Sequence, residues 1–98
     1  MSPQRIHDKL LSVLNRLIWV EETLAPSLRL GDTAKLARLE HLQETLAGEL
    51  AGLMELFPSL GEPLAESVRA KVLGVRHVRD NSARLVAETR ELCERFFG

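Results

Sequence analysis

The sequence is poor in aromatic residues and in cysteine. Of its 98 residues, none is tyrosine, one is tryptophan, three are phenylalanine and one, Cys93, is cysteine. A single cysteine excludes an internal disulfide and suits a reducing compartment, where we expect Cys93 to be a small core or edge residue. Leucine, alanine, glutamate and arginine dominate instead, and these residues favour helices over sheets.

The chain also lacks an excess of charge of one sign and a long hydrophobic run. Its 13 basic residues against 14 acidic ones give a net charge of −1, which argues against a nucleic-acid-binding protein. No uncharged apolar run approaches the roughly 18 residues of a transmembrane helix, and no secretory signal opens the sequence. We therefore expect a cytoplasmic protein without membrane insertion, forming one domain over residues 1–98.

The first of three helical segments has the clearest boundaries. Ser2 suits the N-cap position and Pro3 the first helical position, where its missing N–H costs nothing. Apolar residues then recur at spacings of three and four, at Ile6, Leu10, Val13, Leu17, Val20 and Leu24. The pattern predicts a helix over about 3–29, which Pro26 should end or kink. Gly31 suits a left-handed C-cap, and Asp32 suits the N-cap of the next helix.

The remaining sequence predicts two further helices. A leucine-rich stripe (Leu36, Leu39, Leu42, Leu46, Leu50, Leu53 and Phe57) indicates a second helix over about 33–57. A loop follows, and Pro63 suits the start of a third helix over about 63–97. Short turns between long helices require antiparallel neighbours, so we expect an all-α, elongated antiparallel three-helix bundle or hairpin with a long C-terminal helix.

A search for catalytic chemistry finds few candidates. The sequence has no paired-cysteine metal spacing, no phosphate-binding glycine loop and no His-Glu-x-x-His pattern. His7, His41 and His77 lie on three different segments, so exposed or edge histidines are expected rather than a metal site. We therefore expect no enzymatic activity, no cofactor and no metal.

Two enzyme-like alternatives remain open. A small helical bundle with a reactive histidine on a long helix is typical of histidine phosphotransfer domains, and His77 would be the acceptor. Asp80 and Asn81 stand where a basic residue and a glycine are usual there, and a carboxylate would repel a phosphoryl group. The other alternative is a helical chorismate mutase, in which Arg5, Arg16 and Lys35 would clamp a dicarboxylate.

Two features of the first two helices suggest contacts with another chain or between helices. Trp19 falls on the polar face of helix 1, where it would either anchor an interface or pack beneath a neighbouring segment or a second copy. Gly48 and Gly52 share the polar side of helix 2, where each costs about 1 kcal/mol relative to alanine. Either a close helix approach or local flexibility would account for these glycines.

The apolar stripe of helix 3 contains small polar residues. Its C-terminal half runs through Val75, Val78, Ser82, Leu85, Thr89, Leu92 and Phe96. A stripe that holds Ser and Thr is bound less tightly to its own core than an all-leucine one, so it can open a groove to an amphipathic partner helix. An ordinary core helix that tolerates two polar positions is the alternative.

The order of these segments resembles the FlgN-like flagellar export chaperones. The resemblance is carried by a long amphipathic helix, Leu30-Gly31-Asp32-Thr33-Ala34-Lys35-Leu36, a leucine-rich helix and a last helix containing Asn81-Ser82-Ala83-Arg84-Leu85. Arg84-Leu85 departs from the apolar pair usual after the Asn motif, and the family's middle region is longer. Chaperones of the filament cap are a related class.

The resemblance implies a non-enzymatic protein that shields an amphipathic terminal segment of a hook-associated or filament-cap export subunit. It also implies that helix 3 binds this partner, with Asn81, Leu85, Thr89, Leu92 and Phe96 as the contact positions, to which we add Trp19. A helical oligomerising scaffold, with a homodimer through the Trp19 face, is a further alternative.

Overall fold

The computed structural model describes residues 1–97, so Gly98, the last residue of the predicted domain, lies outside the described residues. Three α-helices and one short 3₁₀ helix occupy this range: α1 (Pro3–Arg29), α2 (Thr33–Met54), the 3₁₀ helix (Phe57–Ser59) and α3 (Leu64–Phe97). No strand occurs within residues 1–97. The described chain measures 53 × 22 × 16 Å. The predicted all-α, elongated three-helix architecture is confirmed.

Local chemistry accounts for the helix boundaries. The Ser2 side chain accepts a hydrogen bond from the Arg5 N–H, and that of Asp32 accepts one from the Lys35 N–H at 3.0 Å. Gly31 adopts a φ of 67°, the left-handed conformation predicted for the turn between α1 and α2.

Proline has different effects at the ends of the first two helices. Helix α1 continues through Pro26 to Arg29, the end predicted for it, so Pro26 does not end it. Helix α2 ends at Met54, three residues before the expected boundary at 57. Pro58 lacks the N–H that would bond to the Met54 carbonyl, and the chain turns into the 3₁₀ helix there.

Helix α1 is the centre of the bundle. One part of its apolar face (Ile6, Leu10 and Leu14) packs against Ala65 and Val68 of α3. Another part (Val13, Leu17 and Val20) packs against Leu39 and Leu46 of α2. The backbones of α2 and α3 rarely come within 8 Å of each other. Each outer helix therefore buries only a narrow face, and most of the predicted α2 stripe is half-buried.

The turns and side-chain hydrogen bonds define the direction of the helices. The short turn over 30–32 makes α2 run antiparallel to α1, and Gln43 on α2 donates to the Glu21 carboxylate. Helix α3 returns parallel to α1, because His7 contacts Ser67 and Glu21 contacts Ser82, at sequence separations of 60 and 61 residues.

Candidate partner-binding surface

A groove of about 240 Å³ runs between α1 and α3. Glu22, Pro26 and Arg29 form its α1 wall, and Asn81 and Leu85 contribute to its α3 wall. Asn81 and Leu85 of the α3 wall were predicted from the sequence as contact residues, and no residue of the α1 wall was. One signal in the sequence could have indicated the α1 wall. Pro26 lies inside the predicted helix, and in the structure its side chain is exposed.

The floor of this groove is polar and internally satisfied. The buried Ser82 hydroxyl donates a 2.7 Å hydrogen bond to the Glu21 backbone carbonyl. The buried Glu21 carboxylate accepts from Gln43 on α2, so one residue of α1 contacts both outer helices. One turn beyond the groove, Thr89, 8% exposed, donates to the Leu85 carbonyl within α3 at 2.8 Å. Because these polar groups are paired, they can remain beneath a bound partner without an unpaired donor or acceptor.

Helix α3 extends beyond the end of α1. The separations of 60 and 61 residues between facing positions place Arg29, the last residue of α1, level with residues 89–90 of α3. The last two turns of α3 therefore overhang the bundle. Leu92 is 50% exposed and Phe96 is 70% exposed on this overhang, although both belong to the predicted apolar stripe. The alternative of an ordinary core helix therefore does not hold for Leu92 and Phe96, because α1 ends before it reaches them.

The predicted contact residues of α3 fall into two groups. Asn81, Leu85, Leu92 and Phe96 follow one another at helical spacing on a single side of α3, and we call them the α3 stripe. Leu85 is half-buried in the groove, and the exposed Asn81 accepts a hydrogen bond from Arg84 at 2.6 Å. Thr89 points into the bundle and is not available to a partner.

Trp19 is 54% exposed, so it does not pack beneath another segment of the described chain. Glu22 and Pro26 follow it by three and seven residues, so the three side chains share one face of α1. Glu22 and Pro26 line the groove, whereas Trp19 lies further along the same face. A partner seated in the groove would reach Trp19 only if it also covered this outer face of α1.

The enzyme-like constellations do not converge on one centre. Arg5 lies near the start of α1, whereas the antiparallel pairing of α1 and α2 places Lys35 level with the end of α1, about 35 Å away at 1.5 Å per residue. A clamp that uses both is therefore excluded. His77 is exposed in a shallow depression with Asp80, Asn81 and Arg84. Cys93 is exposed on the overhang, an edge position rather than a core one.

His7 differs from its expected exposure, since only 9% of it is accessible. Its Nε2 lies 3.0 Å from the Ser67 hydroxyl and its Nδ1 lies 3.0 Å from an Asp8 carboxylate oxygen. The hydrogen bonds from His7 and then from Gln4 lower the pKa of the Asp8 carboxyl. The order Asp–His–Ser is that of a hydrolase triad, but neither His7 nor Ser67 lines the α1–α3 groove or the depression at His77. The arrangement links α1 to the first turn of α3.

A second, larger groove of about 490 Å³ separates α1 from α2 beside Gly48 and Gly52. A Cβ atom added at either glycine would meet nothing within 4 Å. The suggestion that these glycines permit a close helix approach within the chain is therefore wrong. Lys9 and Arg16 of α1 stand across the groove, with Glu49 on the α2 side.

No three His, Cys, Asp or Glu side chains among residues 1–97 come together as a metal site would require. Nor does any helix there combine the length and the apolar character needed to cross a bilayer.

Comparison of the chain with protein-family models, with curated proteins and with solved structures yields no match in any of the three. The resemblance to FlgN-like chaperones therefore stays a prediction. Support for a function must come from the chemistry of the groove and of the α3 overhang.

Proposed function

We propose that this protein is a non-enzymatic binding protein that holds an amphipathic helix of another polypeptide against the α3 stripe, as FlgN-like export chaperones hold their subunits. The observation that carries the proposal is the exposure of Leu92 and Phe96 on an overhang continuous with the α1–α3 groove. An apolar stripe that begins in a groove and continues past the end of its own bundle suits a partner helix.

The length of the α3 stripe sets the length of the partner segment. Asn81 and Phe96 are fifteen residues apart, which corresponds to about 22 Å of helix. A partner segment of about four helical turns with one apolar face would cover it. Terminal segments of export subunits are disordered when free and amphipathic when folded, so shielding them prevents self-association without any catalytic group. The proposed role belongs to the cytoplasm, and the exposed thiol of Cys93 is compatible with a reducing compartment.

The proposal is tested by affinity purification of the tagged protein from its native host, followed by identification of the proteins that accompany it. We expect a hook-associated or filament-cap subunit of an export system. Phe96→Asp should lower its recovery about tenfold or more, since an exposed aromatic anchor contributes about 1–3 kcal/mol to binding. This variant should fold normally because Phe96 is 70% exposed.

Leu73→Asp is the matched control. Leu73 is also an exposed leucine of α3, at 63%, but it lines a different groove with Met54 and Phe57. It should leave subunit recovery unchanged. Equal recovery with the Phe96 and Leu73 variants, or recovery of no export subunit, would contradict the proposal.

A phosphotransfer function is the alternative that His77 keeps open, because this side chain is exposed. Treatment with acetyl phosphate, read by intact mass at neutral pH, distinguishes the two functions. Under the proposed binding function we expect no added phosphate. A phosphate that is lost on His77→Gln would favour the phosphotransfer domain.

A further inference from the structure

The α3 stripe carries charges that make it complementary to itself. Leu85 and Leu92 are seven residues apart along α3, and Phe96 follows four residues later. Glu88 and Arg95 are also seven residues apart, and both flank the stripe on the same side. Among the described residues, Glu88 has no basic group within 4 Å, and the one acidic group within 4 Å of Arg95 is Glu91 of its own helix, at 3.2 Å.

An antiparallel pairing of two copies brings the apolar residues of the two stripes together and places opposite charges beside each other. If Leu85 of one copy lies beside Phe96 of the other, Leu92 falls at the level of residue 89 of the second copy. The two Leu92 side chains are then three residues, about 4.5 Å, apart along the axis. In this register Glu88 of each copy lies within two residues, about 3 Å along the axis, of Arg95 of the other. In a parallel pairing, Glu88 would lie level with Glu88 of the other copy and Arg95 with Arg95 of the other copy. Neither residue would then lie beside an opposite charge.

The overhang also has the dimensions that this pairing requires. Residues 91–97 extend past α1, and in the antiparallel register they lie beside residues 84–90 of the second copy, next to its α1–α3 groove. Each copy therefore brings the segment that its own α1 leaves bare to the Leu85 end of the other copy's groove. We propose that the occupant of the α3 stripe in the absence of another partner is a second copy of this chain, paired antiparallel through Leu85, Leu92 and Phe96 with two reciprocal Glu88–Arg95 ion pairs.

The interface is small, with two turns of overhang from each copy. Interfaces of this size belong to the weak and transient class, so the dimer should form in the micromolar range or above and should yield to a tighter ligand. Because the same stripe is the one proposed to hold an export subunit, dimer formation and subunit binding should compete. The self-association itself does not depend on the identity of that subunit.

Sedimentation equilibrium of the purified chain over a wide concentration range tests the proposal. We expect a monomer–dimer equilibrium that Phe96→Asp abolishes and Leu73→Asp leaves unchanged. Glu88→Arg and Arg95→Glu should each weaken the dimer about tenfold, because each reversal replaces two attractions with two repulsions. All four positions are exposed, and circular dichroism will confirm that the variants remain helical.

Charge reversal gives the decisive outcome. The double variant carrying Glu88→Arg and Arg95→Glu should recover the dimer, because the pairs form with their signs exchanged. An equimolar mixture of the two single variants should form a heterodimer, since every pair is then attractive. A monomer at all concentrations, a dimer indifferent to Phe96→Asp, or single reversals without effect would overturn the proposal.

The sedimentation experiment tests the dimer independently of the proposed function, because it contains the purified chain and no partner protein. If the chain stays monomeric while Phe96 remains necessary for subunit capture, the dimer proposal is wrong and the proposed binding function stands. If the dimer forms but no export subunit is captured, the proposed function is wrong and the self-association stands.

Discussion

The hydroxyl of Ser82 donates a 2.7 Å hydrogen bond to the backbone carbonyl of Glu21, a residue 61 positions earlier in the chain. This bond crosses from α3 to α1 at the floor of the α1–α3 groove. It accounts for a serine within the apolar stripe of α3, because the position requires a donor small enough to approach the α1 backbone. A polar residue expected to weaken the stripe instead joins the two helices.

Ser82→Ala should therefore lower the free energy of unfolding by about 1 kcal/mol, the net contribution of one buried hydrogen bond. Urea denaturation followed by circular dichroism measures the change. Ser12→Ala, at an exposed position of α1, is the control and should change stability by no more than about 0.5 kcal/mol. Equal effects at the two serines would show that the hydrogen bond does not stabilise the bundle.

Trp19→Ala should change stability by about 1 kcal/mol or less, because 54% of this residue is already exposed. Leu10→Ala provides the contrast, since Leu10 is fully buried between α1 and α3 and its truncation should cost about 2–5 kcal/mol. Trp19 is the only tryptophan, so quenching of its fluorescence by iodide reports its exposure directly. A loss of several kcal/mol at Trp19, or a fluorescence that iodide does not quench, would place it in a core.

Asp8 gives the bundle a dependence on pH. Its folded pKa lies below the ordinary value of 3.8, chiefly because its carboxylate accepts a hydrogen bond from His7. A lowered folded pKa means that the stabilisation is present above the unfolded pKa and is lost as the pH falls through the folded one.

Asp8→Asn should thus reduce stability at neutral pH and have little effect once the wild-type carboxyl is protonated. Chemical denaturation of both proteins at neutral pH, and again at a pH low enough to protonate the wild-type carboxyl, measures this difference. The Asp8 side chain is 64% exposed, so the effect should be small and should decrease with added salt. If the Asp8→Asn variant loses as much stability in acid as at neutral pH, the interpretation is contradicted.

Gly48→Ala and Gly52→Ala should each stabilise the protein by about 0.5–1 kcal/mol. Alanine has the higher helix propensity, and its Cβ would enter open space at both positions. Thermal and urea unfolding provide the measurement. Gly31→Ala is the opposite case and should destabilise the chain by about 1 kcal/mol, because Gly31 has a φ of 67°. Destabilisation by either substitution would contradict this expectation and would indicate that a second copy of the chain packs against Gly48 or Gly52.

Helix number and most helix boundaries were determined by the sequence itself. Ser2, Gly31 and Asp32 act on their immediate neighbours through capping hydrogen bonds and a left-handed turn, so reading the residues in order suffices to find them. The end of α2 was predicted three residues too late, because the apolar periodicity continues to Phe57 although Pro58 withholds a backbone donor from Met54.

Only the tertiary structure decided which part of each apolar stripe is covered. Periodicity treats Val68, Ser82 and Phe96 as members of one face of α3, yet the first two are buried and the third is 70% exposed. The difference arises because α1, against which α3 packs, ends at Arg29. Helical spacing is a local property of one segment, whereas burial depends on how far a neighbouring helix extends and in which register it packs. For the same reason the burial of His7 against Ser67, sixty residues away, followed from the packing of α3 on α1.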